Sequence, residues 1–221
     1  FFMIMLMSCI RDGIRIYHKI NNIEIEKYIK FKYNFFNITA DEMSKLEGFE
    51  IKKPGHYYWH NDIYNGSILL NEVFVFDNSV LANVKNILPS FPTNYISIHL
   101  RMGDEYLETY PKYIQSIGDE RKFSESTLYA FIEDNIDKNI LFFCDNYRKK
   151  IKIYIKYINI YITNAKIGHT SLSNTTNTEI LDAVTEFYIL SKSDLICAAS
   201  RSGFSELASK FDGVKLVSLY L

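Results

Sequence analysis

Three short runs without glycine or proline, residues 95–100, 140–144 and 194–199, constrain the fold of this chain more than any other feature in it. All three are rich in apolar residues at successive positions. Each stops abruptly in a polar cluster: Arg101-Met102-Gly103-Asp104, Asp145-Asn146 and Ser200-Arg201-Ser202-Gly203. A strand that is apolar on both faces has to be covered on both, which is the condition of a parallel sheet sandwiched by helices. The segments between the runs carry helical signals. Residues 124–136 place Leu128, Phe131 and Ile132 on one face, and Thr176-Asn177-Thr178-Glu179 is a capping box that opens a helix with Ile180, Val184, Phe187 and Tyr188 inward. Residues 147–163 fit both periods and are expected to form a helix followed by a short strand at 160–163. Ser200 to Gly203 turns into a helix that reaches Lys210, and residues 214–219 form a last strand. This alternation predicts an α/β fold with a Rossmann-like parallel sheet over residues 93–221.

Before residue 93 the pattern is less regular. Helices are expected over 68–76 and 80–88, the second stopped by Pro89 and Pro92, and Thr39-Ala40-Asp41-Glu42 is a further capping box. Residues 1–92 are therefore expected to be a partial N-terminal α/β domain, joined to a second domain at 93–221. The apolar run Phe1 to Ile10 reads as a buried parallel strand, since about 20 residues are needed to cross a bilayer. No transmembrane segment is expected, and a cytoplasmic location follows unless a longer parent carries a membrane or Golgi anchor. The chain begins with Phe1, so a fragment with a clipped first domain is expected.

Composition excludes some classes of function. With 25 basic and 26 acidic residues the net charge is -1, whereas a nucleic-acid binder leaves a basic footprint. Three cysteines, odd in number and widely spaced, are no disulfide framework. No G-x-G-x-x-G, P-loop, H-E-x-x-H, C-x-x-C or Asp-x-Asp pattern occurs. His56 and His60 are the one histidine pair at metal-ligand spacing; they fall in an aromatic stretch read as a loop, so no metal is assigned.

Open parallel sheets bind ligands beyond the carboxyl ends of their strands, which draws attention to the three polar clusters. Arg101 ends a buried strand, and a guanidinium there can grip two phosphate oxygens. Gly103 lets a ligand approach the backbone. Asp104, Glu105 and Glu108 follow in one loop, any of them suited to general-base work. The same residues equally suit a structural Arg–Asp pair with His99 in the core. Ser200, Ser202, Gly203 and Ser205 offer hydroxyls and backbone N–H groups at a helix start, an anion site that is also ordinary capping. Asp145 and Asn146 suit hydrogen bonds to a ribose or base, or a simple turn. Lys149, Lys150, Lys152 and Lys156, interleaved with isoleucines, read as a solvated face.

His99-Leu100-Arg101-Met102-Gly103-Asp104 resembles the H-x-R-R-x-D motif of GDP-fucose-dependent fucosyltransferases, especially the α-1,2-fucosyltransferases of glycosyltransferase family 11. Ser202-Gly203-Phe204-Ser205 with Ala208 is similar to that family's S-T-F-S-W-W-A segment, and Phe187 to Asp194 to the stretch before it. Gly55-His56-Tyr57-Tyr58-Trp59 and Val73-Phe74-Val75-Phe76 resemble two earlier segments, in the same order. Met102 stands where the motif has its second Arg, and Glu206 and Leu207 where it has two tryptophans. The resemblance implies a GT-B-like arrangement with an incomplete N-terminal domain and a nucleotide-sugar donor domain at 93–221. It implies inverting, metal-independent transfer of fucose from GDP-fucose, the donor substrate, to a glycan acceptor, with no cofactor. It assigns catalysis to Arg101, Asp104 and His99, and substrate binding to Arg101, Gly103, Asp145, Asn146, Ser200, Ser202, Gly203 and Ser205. The alternative is a truncated or degenerate protein of the same fold that binds a nucleotide or glycan without catalysis.

Overall fold

The computed structural model describes residues 17–18, 27–32, 36–37, 45, 69–90, 92–103, 106, 121–165, 167 and 175–220. The expected strand at 1–10, the capping box at 39–42, the aromatic run at 55–59, His56, His60, Asp104, Glu105 and Glu108 lie outside these residues.

Its centre is a five-stranded sheet, parallel throughout. The strands are β5 (Ile96–Leu100), β6 (Ile140–Cys144), β7 (Ile160–Ile162), β8 (Ile196–Ala198) and β9 (Leu216–Ser218), in the spatial order β7-β6-β5-β8-β9. The chain therefore builds outward from β5 to β7, crosses back, and adds β8 and β9 on the other side of β5. The five positions of β5 pair with the five of β6, and Ser97 to His99 pair with Ile196 to Ala198. β5, β6 and β8 are buried along their whole length, as their unbroken apolar runs require.

Helices cover both faces. On one, α3 (Glu125–Glu133) and α4 (Tyr147–Lys156) bring Leu128, Ile132 and Ile153 onto Ile98, Leu100 and Phe142. On the other, α2 (Asn78–Ile87), α5 (Asn177–Ser191) and α6 (Gly203–Asp212) bring Ile87, Ile189, Leu190 and Ala208 onto Leu141, Phe143 and Ile196. The capping box at Thr176 is the one the sequence announces, and α6 runs past Lys210 to Asp212. Thr176 accepts the Glu179 N–H while Glu179 takes the Thr176 N–H, and Gly213 ends α6 at a φ of 74°, the left-handed region open to glycine.

Residues 68–76 differ from expectation. Only Leu70–Val73 is helical (α1), and Phe74–Phe76 is a strand, β4, antiparallel to β2 (Ile29–Phe31). The cause is the alternation of two phenylalanines about the exposed Val75. Phe74 and Phe76 both meet Phe211 of α6, at ring centroid distances of 5.2 and 4.9 Å, a period-two contact that a helix cannot make. A further short parallel pair joins β1 (Tyr17–His18) to β3 (Phe36–Asn37). Two of the described elements before 93 are tied to the sheet's helices: α2 lies on α5, and α1 on α6.

Candidate functional site at the β5/β8 switch point

Because the sheet grows in opposite directions from β5, the chain leaving β5 and the chain leaving β8 run to helices on opposite faces from its carboxyl edge. This reversal point is where open α/β sheets take their ligands. The two motif segments, 99–103 and 200–205, leave adjacent strands at this point.

The β5 loop is bound to its neighbours by hydrogen bonds. The Arg101 N–H donates to the Ser200 hydroxyl at 2.8 Å, and that hydroxyl donates to the Arg101 carbonyl at 2.7 Å, so one side chain continues the β5–β8 pairing past the strand ends. Asp145, at the end of β6, holds the rest. Its carboxylate accepts Arg101 Nη1 at 2.5 Å and the N–H groups of Met102 and Gly103 at 2.8 and 3.1 Å. Gly103 has a φ of 119°, a conformation that side chains rarely adopt, and this turns the loop over the buried carboxylate. Asn146 caps α4 through the Lys149 N–H and donates its amide to the Tyr106 carbonyl at 2.8 Å.

These partners change the expected roles. Asp145 and Ser200 are buried and spend their polar atoms inside the protein, so neither is placed to orient a ribose or hold a phosphate. Ser202 is the α6 cap, accepting the Phe204 N–H, and Ser205 donates to the Ser202 carbonyl. Gly203 opens the helix. The capping reading of the serines and the Arg–Asp reading of Arg101 both describe the structure, with Asp145 as the acid.

His99 is also corrected. It is buried and stacked on Phe204 at 5.2 Å, and its Nδ1 has no hydrogen-bond partner. Burial first, then the charges of Arg101 and Lys150, hold its pKa down to about 3. Such an imidazole is neutral near pH 7 and too weak a base for proton abstraction. It belongs to the core, where it packs one motif segment against the other.

The basic run on α4 is a solvated face only in its second half: Lys152 and Lys156 are exposed, whereas Lys149 and Lys150 are buried. Lys150 is buried and bonds Glu186 at 2.7 Å and Thr163 at 2.9 Å, and Thr163 in turn donates to Glu186. Lys149 is buried as well and pairs with Glu125. The first turn of α4 points these lysines at acids on α5 and α3, partners that a local pattern cannot display.

Sequence reasoning missed Arg121. Its N–H donates to the Met102 carbonyl at 2.9 Å, and its Nη1 reaches the Arg201 carbonyl at 3.4 Å. The side chain therefore crosses from the β5 loop to the β8 loop. The signal that would have found it is the scarcity of arginine, six residues among 25 basic ones.

Among the described residues no group of three or more His, Cys, Asp or Glu could hold a metal ion, and no helix is long and apolar enough to cross a membrane. Cys144 and Cys197 are free and buried, and burial raises both thiol pKa values, that of Cys197 to about 12.

No family model and no curated protein matches the sequence. Among solved structures, a crystal structure of POFUT1 in complex with GDP is similar over 69% of this chain and 49% of that one, at 12% identity and a TM-score of 0.43. This chain thus spans about half the length of that structure, and a likeness of this size says nothing about what this chain binds.

Proposed function

We propose that the chain binds GDP-fucose at the β5/β8 switch point and transfers fucose to a glycan hydroxyl with inversion, in the manner of an α-1,2-fucosyltransferase. One observation supports the reading: residues 99–103 and 202–205 of the two motif segments, far apart in sequence, leave neighbouring strands at the switch point of the sheet. In the reaction the acceptor oxygen attacks the anomeric carbon, the bond from that carbon to the β-phosphate oxygen breaks, and GDP departs with the electron pair. The acceptor proton passes to a carboxylate, assigned to Asp104. Arg101 neutralises the charge that grows on the leaving diphosphate. Asp145 is a positioning residue that aims Arg101, and the α6 N-terminus faces the second phosphate.

A second reading, a binding protein without transfer activity, draws on two details. Asp145 already compensates Arg101, and Glu206 places a carboxylate in the first turn of α6, where an anion would otherwise be favoured. Calorimetric titration with GDP, followed by GDP release from GDP-fucose with and without glycan acceptors, separates the two. Binding with acceptor-dependent release supports transfer. Binding without release supports the second reading, and a folded chain that does not bind GDP removes both. Arg101→Ala is expected to weaken GDP binding about 10- to 100-fold, the scale of a lost charge-assisted bond; unchanged affinity would sink the phosphate role.

A further inference from the structure

Four of the seven large hydrophobic side chains that stand exposed among the described residues fall between positions 147 and 158: Tyr147, Tyr154, Ile155 and Ile158. Lys149, Lys150 and Ile153 are the buried residues of α4, and the two lysines pair with Glu125 and Glu186. The outer face is left with Tyr147, the half-buried Ile151, Tyr154 and Ile155, at the i, i+4, i+7, i+8 spacing of a single helical stripe. Ile155 is 76% exposed, and Ile158, in the turn after the helix, is fully exposed. Beside this stripe Lys152 and Lys156 form an exposed row one turn apart, with the Lys156 ammonium 3.8 Å from the centre of the Tyr129 ring. Residues 146–178 contain six Lys or Arg and no Asp or Glu, in a chain whose charges nearly cancel. Charge and exposed apolar surface are therefore gathered on one helix, the combination that marks an interaction surface.

We infer that this face of α4 docks on the surface of an anionic lipid bilayer. The inference is independent of the donor-binding reading. With 10 residues α4 is half the length needed to cross a bilayer, about 20, so it lies on the surface. An apolar stripe bordered by lysines matches the layers met there. Isoleucines enter the acyl boundary, tyrosines sit at headgroup level, and lysines reach anionic headgroups on their long stems. α4 joins β6 to β7, an outer strand of the five-stranded sheet, so among the described residues it lies at the end of its layer with α3 beside it. The nearby acids of α3 are engaged, Glu125 by Lys149 and Glu133 by the Tyr157 hydroxyl at 3.1 Å. A second copy of the chain fits this face less well. A two-fold contact between identical faces sets Lys152 and Lys156 against their own counterparts.

The test is co-sedimentation of the full chain with vesicles of phosphatidylcholine alone and of phosphatidylcholine with about 30% phosphatidylserine. Four proteins are compared: wild type, Ile155→Ser with Ile158→Ser, Lys152→Gln with Lys156→Gln, and Leu81→Ser. The last removes an exposed hydrophobic side chain from α2, on the other face of the sheet. Wild type is expected to bind the anionic vesicles and not the neutral ones, and to be released by about 0.5 M salt. The lysine pair should lose about 10- to 30-fold in partitioning and the isoleucine pair about 10-fold or more, while Leu81→Ser binds as wild type does. All the substituted positions are exposed, so the unfolding midpoints should stay near that of wild type. A wild-type chain that ignores anionic vesicles, or binds neutral ones equally, overturns the inference. So does an isoleucine pair that binds as tightly as wild type, since the attraction would then be diffuse charge. A dimer that sediments without lipid and is lost in the isoleucine pair would give the face to a second copy, and also overturns it.

Discussion

The two ends of the stretch from β6 to α4 each carry a basic–acidic pair, and the pairs are built differently. Arg101–Asp145 is 2.5 Å long with side chains 17% and 4% exposed; Lys150–Glu186 is 2.7 Å long with side chains 1% and 4% exposed. In the first the acid is sealed in and the base keeps some exposure. In the second both charges are enclosed, with Thr163 completing the cluster. Burying the acid alone leaves the cation partly exposed. Burying both members leaves nothing for a ligand to reach, and the pair serves to fasten α4 to α5.

Breaking the enclosed pair should have the largest effect. Lys150→Met leaves Glu186 buried without its cation and is expected to cost about 3–5 kcal/mol in urea unfolding, while adding Glu186→Leu should restore most of it. If the single and double variants unfold alike, the pair is not what links the two helices. Asp145→Asn comes next. Losing the charge under the Arg101 guanidinium and the loop N–H groups is expected to cost about 2–3 kcal/mol and to weaken GDP binding, whereas a variant with wild-type affinity would show that Arg101 needs no aiming.

His99 lies in the field of both cations and reports on them together. Its folded pKa, about 3, is below the unfolded value near 6.5, so the unfolded chain binds more protons between those limits. The stability this contributes is present above about pH 6.5 and is lost as pH falls toward 3. His99→Asn should therefore remove about 2 kcal/mol of the wild-type loss between pH 6.5 and 5, a change visible as a flatter acid limb in pH-dependent unfolding. The smallest effect is expected at Lys149–Glu125, where the acid is half exposed. Glu125→Gln should cost less than about 1 kcal/mol, and less still at high salt; a larger loss would place this pair with the enclosed one.

The sheet and its helices were legible because their causes are local. Buried runs and the capping box at Thr176 act within a few residues of themselves. The site was legible only as a location. Asp145, Ser200 and the serines of α6 were placed at the right edge, but their hydrogen bonds are fixed by residues up to 99 positions away. Lys150 was misread for the same reason, since its partner Glu186 is 36 positions on and becomes visible only when α5 crosses to the other face of the sheet. The strand at Phe74–Phe76 depended on Phe211, which no window around it contains.

The double hydrogen bond between Ser200 and the Arg101 backbone has a thermodynamic consequence. An arginine side chain gives up about 2 kcal/mol of rotamer entropy when it is ordered. At Arg101 the backbone is clipped by Ser200 and the guanidinium by Asp145, so that ordering accompanies folding and not the arrival of a ligand. Under the proposed function, a diphosphate would meet a guanidinium already in place, and its binding constant at this residue would be set by electrostatics and desolvation, with the loss of side-chain freedom already complete.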